Sequence, residues 1–294
     1  MTEMNLEELA IEARSGSSQA LEELVLRIQD QIFALSLRML YHPSDAEDAS
    51  QEILIKVITN LHGYRFEGPF RGWVMRIAAN HLKATRKRTN EIKGLDMERA
   101  QARLDRADAQ GWFAHPLEAP EPLLEAEMRA ACMQALLLCL DREHRLAFIL
   151  GAVMDIGSQE GAYVMEITPA AFRKRLSRAR ARIKGFLEGN CELYQKGNRC
   201  KCGTMAAGYV EKGWLNLKQT LFASSEEPES DNRTLRDYLA DLDDLQRISA
   251  LFKATPRKKP SSDLANKLKA LLGAERYSSL LQGGQGGSDV NTRH

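Results

Sequence analysis

Cysteines are the residues of this 294-residue chain whose type and spacing come nearest to a chemical site. Cys191, Cys200 and Cys202 are close in sequence, and three thiolates can bind zinc when a fourth ligand completes a tetrahedron. Candidates for that fourth ligand are Cys132, Cys139 and His144. The thiols could instead form a redox switch, or they could be ordinary cysteines. Because C-x-C without a second pair is not zinc-ribbon spacing, zinc is one of three alternatives and no cofactor is predicted.

A run of cations that could neutralise phosphates forms a second candidate site. Seven of the twelve residues from 173 to 184 are Arg or Lys, and none is acidic. Thr168 and Pro169 predict the start of a helix there, as its N-cap and first residue. A short helix over 158–165 and a turn at 166–168 precede it, so the segment predicts a helix-turn-helix whose second helix enters the major groove. An exposed Arg-rich helix without a partner is the alternative.

Two more surfaces carry charge of largely one sign. A helix that starts near Phe70 has an outer face of cations and amides, beside a loop at 63–72 rich in Gly, Arg and aromatics. That combination favours single-stranded bases, although solvated basic faces are common. Ser44 is predicted to begin an earlier helix, with Glu47 completing a capping box. The polar side of that helix carries Asp45, Glu47, Asp48, Gln51 and Glu52. These acids and amides could interact favourably with the helix dipole at the N-terminus, or they could bind a basic partner.

The composition favours helices and excludes several protein classes. Aromatic residues make up only 6% of the chain while Leu, Ala, Glu and Arg are abundant, which predicts an all-α fold. No apolar run is long enough to span a membrane, and the acidic N-terminus lacks a signal-peptide core. Five cysteines, an odd and sparse set, indicate reduced thiols in the cytoplasm. No nucleophile–base pair, P-loop or metal-hydrolase motif is present, so no enzymatic activity is expected.

Breaks in the helical pattern divide the chain into four parts. Residues 1–90 and 123–188 predict helical domains, and 91–122 reads as a linker that is charged and then loop-like. Residues 189–294 form a Cys-containing extension with one amphipathic helix over 235–252, a second over 264–272 and a Gly-rich tail that we expect to be disordered. The first of these helices has an acidic outer face, which could dock on a basic DNA-binding surface or simply belong to a small satellite domain.

Several strings of the sequence, taken together, resemble one family. ALEELVLRIQDQIF, SDAEDASQEILIKV and FEGPFRGWVMRIAANHLKATRKR are followed by DREHRLAFIL and AFRKRLSRARARI. In this order and spacing they are similar to the extracytoplasmic-function (ECF) class of bacterial RNA polymerase sigma factors, over residues 8–90 and 124–187. The resemblance implies a region-two-like helical bundle and a region-four-like helix-turn-helix joined by a flexible linker. It also implies binding to core RNA polymerase and promoter DNA, and promoter-specific initiation of transcription.

The resemblance further implies a role for individual residues. Those matching the polymerase-docking helix are Asp45, Glu47, Asp48, Gln51 and Glu52. Those matching the surface that melts and reads the minus-ten element are the 63–72 loop, with Arg65, Phe66 and Arg71, then Arg76, Asn80, Lys83, Arg86, Lys87 and Arg88. In the minus-thirty-five domain, the residues expected nearest to base edges are Ala170, Ala171, Arg173 and Lys174, while phosphate contacts are expected from Arg175 and Arg178.

Three positions depart from the family pattern. Glu166 stands where the turn usually carries Gly, and Gly161 stands where the first short helix usually carries an apolar residue. A Glu in a left-handed turn and a Gly within a helix together cost about 1 kcal/mol or more, which predicts a less stable half-motif and weaker upstream recognition. Ala84 replaces a residue that is more often polar, which leaves the exact minus-ten contacts open.

Two other functions and two forms of inhibition stay open on the sequence. The chain could be a helix-turn-helix regulator that acts without polymerase, or a thiol- or zinc-dependent signalling protein. As a sigma factor, it could be held inactive by a separate anti-sigma factor or by its own C-terminal extension.

Overall fold

The computed structural model describes residues 4–85, 95–113, 121–218, 220–223, 232–255 and 260. Within these ranges the regular structure is helical, and β-type pairing is limited to an isolated bridge between Cys191 and Cys200. The prediction of an all-α fold is confirmed. The α-helices are α1 (Leu6–Arg14), α2 (Ser18–Leu40), α3 (Pro43–Thr59), α4 (Phe70–Ala84), α5 (Met97–Ala109), α6 (Pro122–Leu138), α7 (Arg142–Phe148), α8 (Ser158–Met165), α9 (Pro169–Asn190), α10 (Cys202–Glu211), α11 (Asn232–Ala240) and α12 (Asp244–Lys253).

The first domain is a bundle of α1 to α4 with α2 at its centre. Leu24, Ile28 and Ile32 are buried, because i, i+4 spacing places them on one face of the helix. α2 packs on each of the other three helices through this face. Ser17 begins α2, its hydroxyl oxygen accepting a hydrogen bond from the Ala20 backbone N–H at 3.2 Å.

The start of α3 differs from the capping box predicted at Ser44. The helix begins one residue earlier, at Pro43, and its N-cap His42 makes no side-chain capping bond. Proline fixes the backbone angle that a first helical residue needs, so Ser44 lies within the helix. Glu47 therefore has no capping role, and the prediction was wrong.

A helix occupies part of the segment predicted as a linker. α5 begins at Asp96, whose carboxylate accepts a hydrogen bond from the Arg99 backbone N–H at 2.8 Å. Leu104, Ala107 and the following Trp112 are buried with Met205 of the extension. The sequence did not suggest this helix because two buried positions are too few to give an apolar stripe.

The second domain contains α6 to α9, and α8 with α9 forms the predicted helix-turn-helix. α7 continues directly into a π-helical turn, Ile149–Val153. Thr168 is the N-cap of α9 as predicted, accepting a hydrogen bond from the Ala171 backbone N–H at 3.2 Å. Glu166 has the left-handed conformation that its place in the turn requires, with φ 56° and ψ 45°.

The short helix α8 has the predicted bounds, and two of its glycines have structural roles. Gly157 is its N-cap, without a side-chain bond, and Ser158 is the first helical residue. Packing explains why a glycine occupies position 161, because a Cβ at this position would lie 2.4 Å from the Phe172 ring. The helical cost of this glycine is therefore offset by the close approach of α8 and α9.

The C-terminal extension packs back on both domains. The amphipathic helix predicted over 235–252 is two helices, because Asp243 and Gln246 form a capping box that starts α12. α12 packs against the π-helical turn and α9. The helix predicted over 264–272 and the Gly-rich tail lie outside the described residues. No helix in the part of the chain that the structure describes is long and apolar enough to cross a membrane.

Candidate nucleic-acid and protein interfaces

The acidic side of α3 is an accessible surface. Asp48 and Glu52 are exposed, and Asp45, Glu47 and Gln51 are half-buried on the same helix. The opposite side of α3 is fixed in the core by Ile53 and Leu54. The helix therefore holds its carboxylates on a rigid support while leaving at least two of them open to a partner.

A groove of about 360 Å³ separates this acidic side from the end of α4. In it, His81 lies 3.7 Å from the Glu52 carboxylate and 2.9 Å from the Lys56 ammonium nitrogen. Burial, helped by the Lys56 charge, lowers the pKa of His81 below its ordinary value. The imidazole is therefore neutral near pH 7 and does not cancel the charge of Glu52.

The 63–72 loop presents one exposed aromatic side chain above an aromatic core. Tyr64, Phe70 and Trp73 are buried and in ring contact, and the Tyr64 hydroxyl donates to the Gly68 carbonyl oxygen at 2.6 Å. Phe66 is 43% exposed and has a positive φ of 58°. Backbone strain of this kind occurs often at binding sites.

One cation contacts the Phe66 ring, and two more belong to the 63–72 loop. Arg65 is exposed and Arg71 is half-buried, while the Arg14 guanidinium of α1 lies 5.3 Å from the centre of the Phe66 ring. This places an aromatic face and positive charge together, as single-stranded bases require.

The outer face of α4 contacts α8 of the second domain. The Arg76 guanidinium lies 4.8 Å from the centre of the Tyr163 ring. The Asn80 amide donates to a Glu166 carboxylate oxygen at 3.0 Å. Lys83 is half-buried on the same helix. Two residues expected to read the minus-ten element therefore face protein in this conformation, while Arg86, Lys87 and Arg88 lie outside the described residues.

Two arginines of α7 join the domains further. Arg142 donates to the carbonyl oxygens of Leu82 at 3.1 Å, Lys83 at 3.0 Å and Thr85. Arg145, which is buried, donates to the Met39 carbonyl oxygen at 2.5 Å. Cations at helix C-termini satisfy carbonyl oxygens that lack helical partners. Helix α7 of the second domain thus caps the C-terminal ends of α4 and α2.

The recognition helix α9 presents a mostly open cationic end. Ala170, Arg173, Lys174 and Arg178 are exposed and Ala171 is half-buried. Arg175 is different, because its guanidinium pairs with the Glu143 carboxylate at 2.6 Å. Among the described residues, no carboxylate pairs with Arg173, Lys174 or Arg178. The residues expected nearest to upstream bases are therefore available in this conformation.

The part of the acidic extension that the structure describes, residues 189–218, 220–223, 232–255 and 260, contacts α9 away from that open end. Asp244 of α12 pairs with Lys184 at 2.5 Å, in the C-terminal half of α9. Lys253 of α12 pairs with Asp155 at 2.6 Å. The extension is anchored to the second domain at a distance from the base-reading positions.

A buried carboxylate that the sequence analysis missed ties the extension to the second domain. Glu127 of α6 is 3% exposed, and it accepts hydrogen bonds from three consecutive backbone N–H groups, of Leu221 at 2.8 Å, Phe222 at 2.8 Å and Ala223 at 2.7 Å. We call Glu127 with residues 221–223 the clasp. An acid within the apolar run of α6 was the one signal that pointed to it.

The aromatic ring of the clasp inserts between the two domains. Phe222 is 3% exposed and packs with Phe33 of α2, Ala46 of α3 and Ala130 of α6. Its ring also meets the Tyr41 ring edge-on, with 5.3 Å between centres. A fully buried phenylalanine contributes a few kcal/mol, so the clasp is a substantial link between the extension and both domains.

The five cysteine thiols are buried or partly buried. Cys191 is buried and Cys132, Cys139, Cys200 and Cys202 are partly buried, and all are free. Burial raises the pKa of Cys200 and of Cys139 to about 12. Among the described residues, no group of three His, Cys, Asp or Glu is placed to hold a metal ion. His144 instead pairs with Asp141 at 2.7 Å.

Comparisons with known proteins agree on one family. Residues 24–91 match the model of sigma-70 region 2. The sigma-H factor of Pseudomonas aeruginosa is 26% identical over 192 residues, which cover 64% of this chain and 96% of that protein. The ECF sigma factor SigE of Mycolicibacterium smegmatis is 28% identical over 166 residues, 56% of this chain. The chain spans only 61% of that relative's length.

A third relative has a solved structure. The sigma factor CnrH of Cupriavidus metallidurans is 26% identical over 188 residues, 63% of this chain and 95% of that protein. The structure of CnrH in complex with the cytosolic domain of CnrY covers 61% of this chain and 95% of that chain, with 24% identity and a TM-score of 0.43. The region-two match and these relatives show that the chain is similar to ECF-class RNA polymerase sigma factors over 56–64% of its length.

Proposed function

We propose that this sigma factor binds core RNA polymerase through the acidic side of α3 and directs it to promoters read by α4 and α9. The proposal rests on one observation. The chain has an accessible anionic face on α3 and, separately, accessible cations at the start of the recognition helix. Each surface needs a partner of opposite charge, which polymerase and promoter DNA supply. The chain supplies specificity and no catalysis of its own, and it acts in the cytoplasm, where polymerase is found.

The two DNA surfaces have different tasks. Arg173 and Lys174, near the N-terminus of α9, are placed to reach base edges in the major groove, and Arg178 to contact phosphate. Phe66, with the cations around it, is placed to stack on an unpaired base of the opened minus-ten element. Ala170 and Ala171 are small enough to let α9 approach the groove closely.

The conformation described here is a closed, resting state. Arg76 and Asn80 must leave Tyr163 and Glu166 before they can contact the minus-ten element, so the two domains have to separate. Arg142, Arg145 and the clasp oppose that separation. The described part of the C-terminal extension therefore inhibits by holding the domains together.

A charge-reversal experiment tests the polymerase surface. Asp48→Lys with Glu52→Lys turns two attractive charges into repulsive ones, and we expect core polymerase affinity to fall roughly 10- to 100-fold. Glu12→Lys with Asp30→Lys is the matched control, since both residues are exposed acids of the same bundle away from α3. Affinity is measured by titration of labelled sigma factor, and helical content by circular dichroism. Equal affinity of the two folded double variants would remove α3 as the docking surface.

A further inference from the structure

Helix α1 contacts both ends of the 63–72 loop. At the start of the loop, the Arg14 guanidinium donates to the Tyr64 carbonyl oxygen at 3.1 Å. At its end, a Glu7 carboxylate oxygen accepts a hydrogen bond from the Phe70 backbone N–H at 2.8 Å. The N-cap of α4 makes no side-chain capping bond, so Glu7 satisfies from another helix an N–H that has no partner within α4. We call Glu7 and Arg14 the brace.

The brace also determines the surroundings of the exposed aromatic ring of the loop. The Arg14 guanidinium lies over the Phe66 ring, 5.3 Å from its centre, and the Tyr64 ring packs on it with 4.5 Å between centres. A cation over one face of an aromatic ring is attracted by the electron density of that face. One face of Phe66 is therefore occupied by protein, and the 43% of this residue that stays exposed is what remains for a ligand.

The backbone of Phe66 needs such support. Its φ of 58° lies in the left-handed region, which a residue with a Cβ rarely adopts. A strained conformation of this kind persists only when the surrounding structure imposes it. Inside the loop, the hydrogen bond from the Tyr64 hydroxyl to the Gly68 carbonyl oxygen contributes to this. From outside the loop, the brace holds the residues on either side of Phe66.

We propose that Arg14 and Glu7 are positioning residues for the capture of one unpaired promoter base on Phe66. An aromatic ring stacks on any base through its face, and a ring that is already held in place loses less side-chain freedom when it binds. Because the guanidinium covers one face of the ring, the ring accepts one base rather than two. The inference rests on the proposed function, since it requires the loop to meet the opened minus-ten element.

Arg14 acts through the ring and not through the DNA phosphates. Its guanidinium is half-buried and engaged with the Tyr64 carbonyl oxygen and the Phe66 ring, whereas Arg65 on the loop itself is exposed. Loss of a phosphate contact lowers the dependence of DNA affinity on salt concentration, by about one in the log–log slope. Arg14→Ala should therefore leave that slope unchanged.

The test uses the full chain with core polymerase and a promoter fragment whose minus-ten element is already unpaired. Each base of the unpaired strand is replaced in turn by an abasic nucleotide, and the affinity is measured by fluorescence anisotropy. For the unaltered protein, we expect a position at which the abasic fragment binds roughly 5- to 100-fold more weakly, and Phe66→Ala should lose this penalty. The penalty is a ratio within one protein, so a smaller folded fraction does not change it.

Loss of the brace should reduce the same penalty. Arg14→Ala and Glu7→Ala should each lower the penalty at the Phe66 position at least about threefold, and Arg14→Lys, which keeps a cation and a donor, should restore most of it. Arg27→Ala is the matched control for Arg14, because Arg27 also donates to a backbone carbonyl oxygen, at 2.6 Å, but away from the loop. Glu8→Ala is the control for Glu7, because Glu8 is an exposed acid at the same end of α1. Both controls should keep the full penalty.

Four results contradict the inference, and only the last also contradicts the proposed function. A full penalty in Arg14→Ala and Glu7→Ala, with the penalty lost in Phe66→Ala, would leave base capture intact and remove the brace from it. A lower salt slope in Arg14→Ala would make Arg14 a phosphate contact. A penalty lost equally in Arg27→Ala would reduce Arg14 to a contributor to the stability of the bundle. If no position depends on its base, the minus-ten part of the proposed function fails as well, and the polymerase affinity of the same preparation shows whether the rest stands.

Discussion

Replacing Glu127 with glutamine should weaken the clasp without changing its shape. The carboxylate accepts three N–H bonds of 2.7–2.8 Å, each charge-assisted and therefore about 1 kcal/mol stronger than a neutral bond. Glutamine also turns one acceptor into a donor that faces an N–H group. Burial of a neutral amide costs less than burial of a carboxylate, so we expect a net loss of about 2 kcal/mol. That corresponds to a roughly 30-fold larger open population.

The opening of the clasp can be measured by hydrogen exchange, and its effect on function by transcription. Hydrogen exchange at the amides of residues 221–223 should accelerate by about the same factor, because these amides lose protection when the clasp opens. Run-off transcription with limiting core polymerase should increase, because domain separation requires less free energy. Glu121→Gln is the matched control, since this exposed residue lies at the start of the same helix. Unchanged exchange and unchanged transcription in Glu127→Gln would refute the clasp.

Three further predictions concern the second domain and the thiols. Arg173→Ala should reduce discrimination at the upstream element by about 1–3 kcal/mol in competition binding, because a base contact is lost. Gly161→Ala should destabilise the protein by about 1–3 kcal/mol by overpacking Phe172, whereas Gly185→Ala, with open space around it, should stabilise by up to about 1 kcal/mol in thermal unfolding. Cys200 should react more slowly with iodoacetamide at pH 8 than a free thiol, since its pKa is raised to about 12.

Specific results would contradict each of these. A uniform loss of affinity across all promoters would assign Arg173 to phosphate contact. A shift of the same sign in both glycine variants would remove the close approach of α8 and α9 as the reason for Gly161. Alkylation of native Cys200 at the rate of the unfolded chain would show that its thiol is not buried.

Features encoded in short stretches of sequence were predictable. The Thr168–Pro169 start of α9 depends on residues within one helical turn. The capping box at Ser44 failed for a local reason as well, because the neighbouring Pro43 competes for the helix start. The start of a helix can be predicted reliably when only one residue suits the capping position. It is ambiguous when two adjacent residues both favour a helix start.

Features that join distant parts of the chain were not predictable. Arg142 meets the end of α4 nearly sixty residues away, and Glu127 meets Phe222 across 95. Neither contact leaves a periodic signal, since one polar residue in an apolar helix can bind water, a ligand or another segment. The candidate surfaces could therefore be identified from the sequence. The contacts that cover part of the α4 surface in this conformation could not.

The proposed closed state leaves the proposed surfaces unequally available, and under this proposal the difference orders the steps of promoter recognition. The acidic side of α3 and the cations of α9 are open, while Arg76 and Asn80 of α4 face α8. Polymerase docking can therefore precede domain separation. Docking drives separation only if polymerase binds the open form more tightly than the closed form. Phe222 packs against Ala46 on the same helix that carries the carboxylates proposed to dock on polymerase, so under this proposal even a small displacement of α3 by polymerase would loosen the clasp.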